Sequence, residues 1–204
     1  TNDEICMNKS DQEVTLSSPY TGSPISMTGK VSATKPAARF KVTVPDNLDL
    51  VIETIRSGYV AEGPRVREFQ EKVSPFVGNE FVVALNSGTS SIHLALVLAG
   101  VGKGGKVIST PITSPATNVS IANLGAEIIW ADVEENSGNI SPESVRRLMS
   151  KYGEEVKAVI AVDWGGYPCD YDNLRDAISG EVHLIEDAAH AIAAEYKERK
   201  VGSI

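Results

Sequence analysis

Ala158-Val159-Ile160-Ala161-Val162 is an unbroken apolar run of strand length, and Asp163-Trp164-Gly165-Gly166 follows it at once. A strand without polar alternation is buried on both faces, as happens in parallel sheets covered by helices. Working outward, similar runs occupy residues 81–85, 106–109, 127–131 and 182–185. Between them, residues 89–99, 115–124, 141–152 and 171–179 have helix length and apolar spacing, and Ser141-Pro142 supplies an N-cap with proline at the first helical position. Further upstream, Leu48, Val51, Ile52 and Ile55 follow helical spacing up to Gly58, and Val66, Phe69, Val73 and Phe76 do so up to Gly78-Asn79. The expected architecture is α/β, with five strands in a three-layer, mainly parallel sheet.

A length of 204 residues allows one ordinary domain plus part of another. Residues 1–40 are rich in Ser, Thr, Pro, Gly and Lys without sustained period, so a flexible N-terminal arm is expected there and the folded domain over 41–204. Hydrophobic residues at 42% and charged residues at 23% fit neither wholesale disorder nor a membrane protein. No apolar run approaches a spanning helix and no signal-peptide pattern opens the chain, so a cytoplasmic location is the default. A formal charge of -8 opposes binding to nucleic acid or anionic membrane. Cys6 and Cys169, with three histidines, have no metal-site or disulfide spacing, and metal chemistry is not expected.

In an open parallel sheet, ligands bind beyond the carboxyl ends of the strands. The residues that follow the five runs are polar: Asn86-Ser87-Gly88-Thr89-Ser90-Ser91, Thr110-Pro111-Ile112-Thr113-Ser114, Asp132, Asp163 and Glu186-Asp187-Ala188-Ala189-His190. Ordinary turn chemistry accounts for part of this. Ser87-Gly88-Thr89-Ser90 has more to offer, because a tight turn into a helix presents free amides to an anion, and a phosphate monoester suits them. Gly100-Val101-Gly102-Lys103-Gly104-Gly105 matches a dinucleotide fingerprint formally, but it follows a helix and precedes a strand, so it reads as a connector. Asp187 closes a buried run, where a carboxylate needs a partner. It reads either as a helix cap or as a counter-ion for a protonated ring nitrogen, with His190 on the same helical face. His93, His183 and Cys169 read as structural.

These segments resemble the DegT/DnrJ/StrS family of sugar aminotransferases, which use pyridoxal phosphate on the type I aminotransferase fold. The resemblance runs from about Val44 to the end. It is carried by Ser57-Gly58-Tyr59-Val60-Ala61-Glu62-Gly63-Pro64, Asn86-Ser87-Gly88-Thr89, Pro111-Ile112-Thr113-Ser114-Pro115-Ala116-Thr117, Gly125-Ala126 with Asp132, and Glu186-Asp187-Ala188-Ala189-His190-Ala191. It implies the large domain of a pyridoxal 5'-phosphate-dependent transferase. By position, Gly88, Thr89 and Ser90 would bind the cofactor phosphate, Asp187 would pair with the pyridinium nitrogen, and His190 would touch the ring's phenolic oxygen. The implied reaction moves an amino group from an amino acid to a keto group on a nucleotide-linked sugar, in a protein that is a homodimer when full length.

Two departures qualify the resemblance. Ser114 stands where the family usually places an aromatic ring against the cofactor. The Schiff-base lysine lies beyond Gly202-Ser203 in the family, so no catalytic lysine is assigned, and Lys197 and Lys200 fall in an expected hairpin before it. The chain is therefore read as a truncated N-terminal fragment, inactive alone. In the resembled fold, two strands after Ile204 lie between the first strand and the fourth, so residues 81–85 should lie apart from the other runs. The alternatives are a sugar dehydratase of the same family with histidine in place of the lysine, and a non-enzymatic phosphate-binding α/β module.

Overall fold

A computed structural model describes residues 48–204, together with a short antiparallel pair formed by β1 (Leu16–Ser17) and β2 (Pro24–Ile25). The arm expected over residues 1–40, with Cys6, otherwise lies outside the described residues. The chain divides into two units, Thr1–Leu48 and Asp49–Ile204.

The second unit opens with α1 (Asp49–Ser57) and α2 (Pro64–Val77), closed by Gly58 and Gly78, whose φ angles of 78° and 73° are the left-handed ones expected at helix ends. Then α3 (Gly88–Leu98), β3 (Lys106–Ser109), α4 (Pro115–Asn123), β4 (Glu127–Trp130), α5 (Pro142–Tyr152), β5 (Val156–Val162), α6 (Tyr171–Ala177) and β6 (His183–Asp187) alternate. A hairpin of β7 (Glu195–Tyr196) and β8 (Arg199–Lys200) follows. The strands β4, β3, β5 and β6 lie side by side in that order, and all their pairings are parallel. Glycines 100–105 form the connector between α3 and β3, as the reversed context of that motif requires.

The alternation of side chains along β5 divides the core into two layers. Ala158, Ile160 and Val162 pack with Ile92, Leu96, Val107 and Ile121 on the α3–α4 side. Val159 and Ala161 pack with Ile108, Val145, Met149, Tyr171 and Leu174 on the α5–α6 side, joined by Val156, which precedes an irregularity in the pairing of β5 with β3. The result is three layers, with β5 buried on both faces as its sequence demands.

Four of the five expected strands form one sheet, and the first run lies apart from them, as expected for residues 81–85. Residues 81–85 carry a strand-like pattern but pair with no strand among the described residues, and Phe81 and Val83 are 83% and 71% exposed. A strand is held by its ladder, and without a neighbour the pattern alone does not form one. The expected position of the gap needs correction. The fourth run, β5, is flanked on both sides by β3 and β6, so no gap opens beside it, and the edges of the sheet are the third run, β4, and the fifth, β6. Asp187 is followed by turns rather than by a helix, so it caps none, and His190 shares no helical face with it.

Candidate functional site

The site is assembled from the carboxyl ends of β3, β5 and β6 and the first turns of α3 and α4. Ser87 caps α3 and its hydroxyl accepts the Ser90 amide at 3.1 Å, while the Ser91 amide goes to the Ser87 carbonyl. This leaves the amides of Gly88 and Thr89 without a partner among the described residues, as expected for the first positions of a helix. An anion placed there would meet two free donors and the positive end of the helix. Ser90 Oγ lies 3.1 Å from Ser87 Oγ, so the hydroxyls of this turn are already ordered.

Ser114 begins α4 as its N-cap, its hydroxyl accepting the Ala116 amide at 3.4 Å, with Pro115 at the first helical position. The exposed serine thus has a local structural use at a position where the resembled family carries an aromatic ring. One turn into the helix, the buried Thr117 donates its hydroxyl proton to Asp187 Oδ2 at 2.8 Å. Asp187 Oδ1 accepts only a long bond, 3.3 Å, from the Ala189 amide and keeps capacity for another donor.

His190 lies in the turn after Asp187, its ring centroid 5.4 Å from that of Trp164. The loop bearing Trp164 is clamped by the buried Asn139, which accepts the Trp164 amide at 2.9 Å and donates to the Tyr167 carbonyl at 2.8 Å. Gly166 has φ +87°, and a Cβ there would stand 2.9 Å from the His190 carbonyl oxygen, so the loop approaches this turn as only glycine allows.

Asp163 is fully buried beside these groups, and its amide donates to the Asp187 carbonyl at 3.1 Å. Its Oδ1 accepts from the Cys169 amide at 2.8 Å and from the Tyr171 hydroxyl at 2.7 Å, while Oδ2 is an orphan among the described residues. Burial raises the pKa of this carboxyl, the bonds from Cys169 and Tyr171 oppose the rise, and the Asp187 charge adds to it. Glu186 is raised as well, first by burial, against a bond of 2.7 Å from the Gly202 amide. Cys169 is buried with its thiol directed to the Val162 carbonyl at 3.2 Å, and burial pushes that thiol up, which suits an inert core residue.

Hydrogen bonds from α4 thus link the first turn of α3, which bears Gly88, Thr89 and Ser90, to Asp187, while Ser114 opens the same helix and His190 lies in the turn after Asp187. Lys197 and Lys200 lie on the hairpin, paired with Asp172 and Glu195. A hollow of about 590 Å³ lies elsewhere, lined by Glu134, Tyr167, Asp170, Tyr196 and other residues, and none of the six site residues borders it. Sequence reasoning assigned no role to Thr117, Ser120 or Asn139. A polar residue on the buried side of α4 is the signal that would have found the first two.

The donor set fits a phosphorylated pyridine cofactor: free amides for the phosphate, and a carboxylate oxygen with spare capacity for a ring N–H. Comparisons with known proteins point the same way. A spore coat polysaccharide biosynthesis protein of Bacillus subtilis, SpsC, is 38% identical over 160 residues, which are 78% of this chain and 40% of that protein. The sugar aminotransferase CalS13 from Micromonospora echinospora superposes with a TM-score of 0.72 at 32% identity, covering 79% of this chain and 46% of that one. The PLP form of Spr1654 from Streptococcus pneumoniae superposes with a TM-score of 0.71 at 27% identity, covering 77% and 43%. The chain spans less than half the length of these relatives. Residues 43–204 match the family as a continuous block, and the chain belongs to the DegT/DnrJ/EryC1/StrS aminotransferase family.

Proposed function

We propose that this protein works as a pyridoxal 5'-phosphate-dependent aminotransferase that passes an amino group from an amino acid to a keto group on a nucleotide-linked sugar, in amino-sugar or cell-surface polysaccharide biosynthesis. The main support is that the free amides at the start of α3 and the buried carboxylate of Asp187 are tied together by hydrogen bonds from one helix, α4. The Gly88 and Thr89 amides, with the Thr89 and Ser90 hydroxyls, hold the phosphate. Asp187 Oδ1 accepts the ring N–H, and His190 stands at the phenolic oxygen. Ser114 borders the ring without stacking on it. Once bound, the cofactor supplies an electron sink for charge developing at the carbon that bears the nitrogen. The protein's part is to keep the ring nitrogen protonated beside Asp187. Exposed apolar side chains on α1 and α2, among them Val51, Ile55 and Phe69, support a homodimer in which these faces are covered.

The test uses the full-length protein with pyridoxal phosphate, an amino donor such as glutamate and a nucleotide-linked keto-sugar, followed by cofactor absorbance and product formation. Asp187→Ala is expected to lose amino transfer by about 100-fold or more, as when a charge-stabilising group is removed from an active site. Cys169→Ala should stay near wild type. Equal losses in the two variants would make Asp187 a structural residue and overturn the reading.

A further inference from the structure

Helix α4 touches both ends of the proposed site with one face. Thr117 Oγ1 donates to Asp187 Oδ2 at 2.8 Å, and Ser120 Oγ donates toward the Thr89 carbonyl at 3.1 Å and the Ala116 carbonyl at 2.8 Å. Residues three apart on a helix lie on the same side, and both hydroxyls are fully buried. Thr113 Oγ1 lies 2.8 Å from Thr117 Oγ1. The Thr117 proton is committed to the carboxylate, so Thr113 is the donor in that contact, and the order runs Thr113 to Thr117 to Asp187. The helix is itself pinned to the end of β3. Asn118 Oδ1 accepts the Ser109 hydroxyl at 2.7 Å, and Asn118 Nδ2 donates to the Thr110 carbonyl at 3.1 Å. Sliding α4 along the sheet would break the bonds to Asp187, Thr89, Ser109 and Thr110 together.

We propose that Thr117 and Ser120 are positioning residues that fix the separation between the α3 amides and the Asp187 carboxylate, so that a ligand carrying a phosphate at one end and a ring nitrogen at the other is gripped at both. This rests on the function proposed above. Neither residue touches the ligand. Thr117 sets which Asp187 oxygen keeps capacity for a further donor, and Ser120 holds the first turn of α3 by the carbonyl of the residue whose amide faces the phosphate.

The test is binding of pyridoxamine 5'-phosphate to the full chain, followed by fluorescence, with inorganic phosphate as a second probe and thermal unfolding as a control. Thr117→Val, nearly the same shape without the hydroxyl, should weaken pyridoxamine phosphate binding by roughly 10- to 100-fold, the scale for a bond to a charged group, and leave phosphate affinity near wild type. Ser120→Ala should weaken the same ligand by roughly 2- to 10-fold. Thr117→Ser, which restores the hydroxyl, should recover most of the affinity. The proposal is overturned if Thr117→Val binds as wild type, if Thr117→Ser is as impaired as Thr117→Val, or if both probes weaken equally. Those three results leave the proposed function standing. A wild-type chain that fails to bind pyridoxamine phosphate overturns both.

Discussion

The carboxylate of Asp163 accepts the phenol proton of Tyr171 at 2.7 Å inside the core, while its second oxygen faces no donor among the described residues. Burial therefore favours the neutral acid, and the folded chain keeps this proton to higher pH than the unfolded chain, where the carboxyl titrates near 3.8. The stabilising protonated form is fully present below that value, and its contribution is lost as pH rises through the raised folded value. Asp163→Asn does not titrate and keeps an oxygen for both donors. The difference in melting temperature, variant minus wild type, should grow as pH rises from 4 to 8. A difference independent of pH would mean that the folded carboxyl is not raised.

Tyr171→Phe removes the hydroxyl and leaves Asp163 Oδ1 with the Cys169 amide alone. A loss of about 1–3 kcal/mol is expected in denaturant unfolding, the usual cost of stripping a partner from a buried polar group. The removed bond favours the charged acid, so the fall of stability with pH should also steepen. An unchanged midpoint would mean that the phenol is not this carboxyl's donor.

Gly166→Ala places a methyl 2.9 Å from the His190 carbonyl on a residue at φ +87°. Both conditions are unfavourable, and a cost of about 1–3 kcal/mol is expected. Trp164 shares the loop and packs on His190, so its fluorescence should shift with the displacement. A variant that keeps both wild-type stability and wild-type emission would show that the loop relaxes freely.

Phe81 and Val83 stand in solvent, as do Val51 and Ile55 on α1. The 204-residue chain should enhance the fluorescence of a hydrophobic dye, and replacing Phe81 and Val83 by lysine should reduce both the enhancement and the tendency to aggregate. No enhancement by the unmodified chain would show that these residues are covered in solution.

Much of this was legible in the linear sequence because its signals are local. The apolar spacing before Gly58 and Gly78, the Ser141-Pro142 cap and the unbroken run of β5 each depend on neighbours within a turn or two, and each element appears where those signals place it. The glycines of 100–105 were separable from a nucleotide loop by their order between helix and strand alone. Residues 81–85 show the limit, for their pattern is that of a strand, and whether it becomes one depends on a neighbouring ladder that no local signal supplies. The same holds at the site. Asp187 was readable as a carboxylate in need of a partner, but its partner Thr117 lies 70 residues away in the chain, and packing of α4 against the sheet brings the two hydroxyls of that helix to opposite ends of the site. Residue types and local periods specify which groups can donate, accept or turn the chain. Which of them meet is decided by how the layers close, because a hydrogen bond of 2.8 Å is set by the placement of whole elements and not by the residues beside it in sequence.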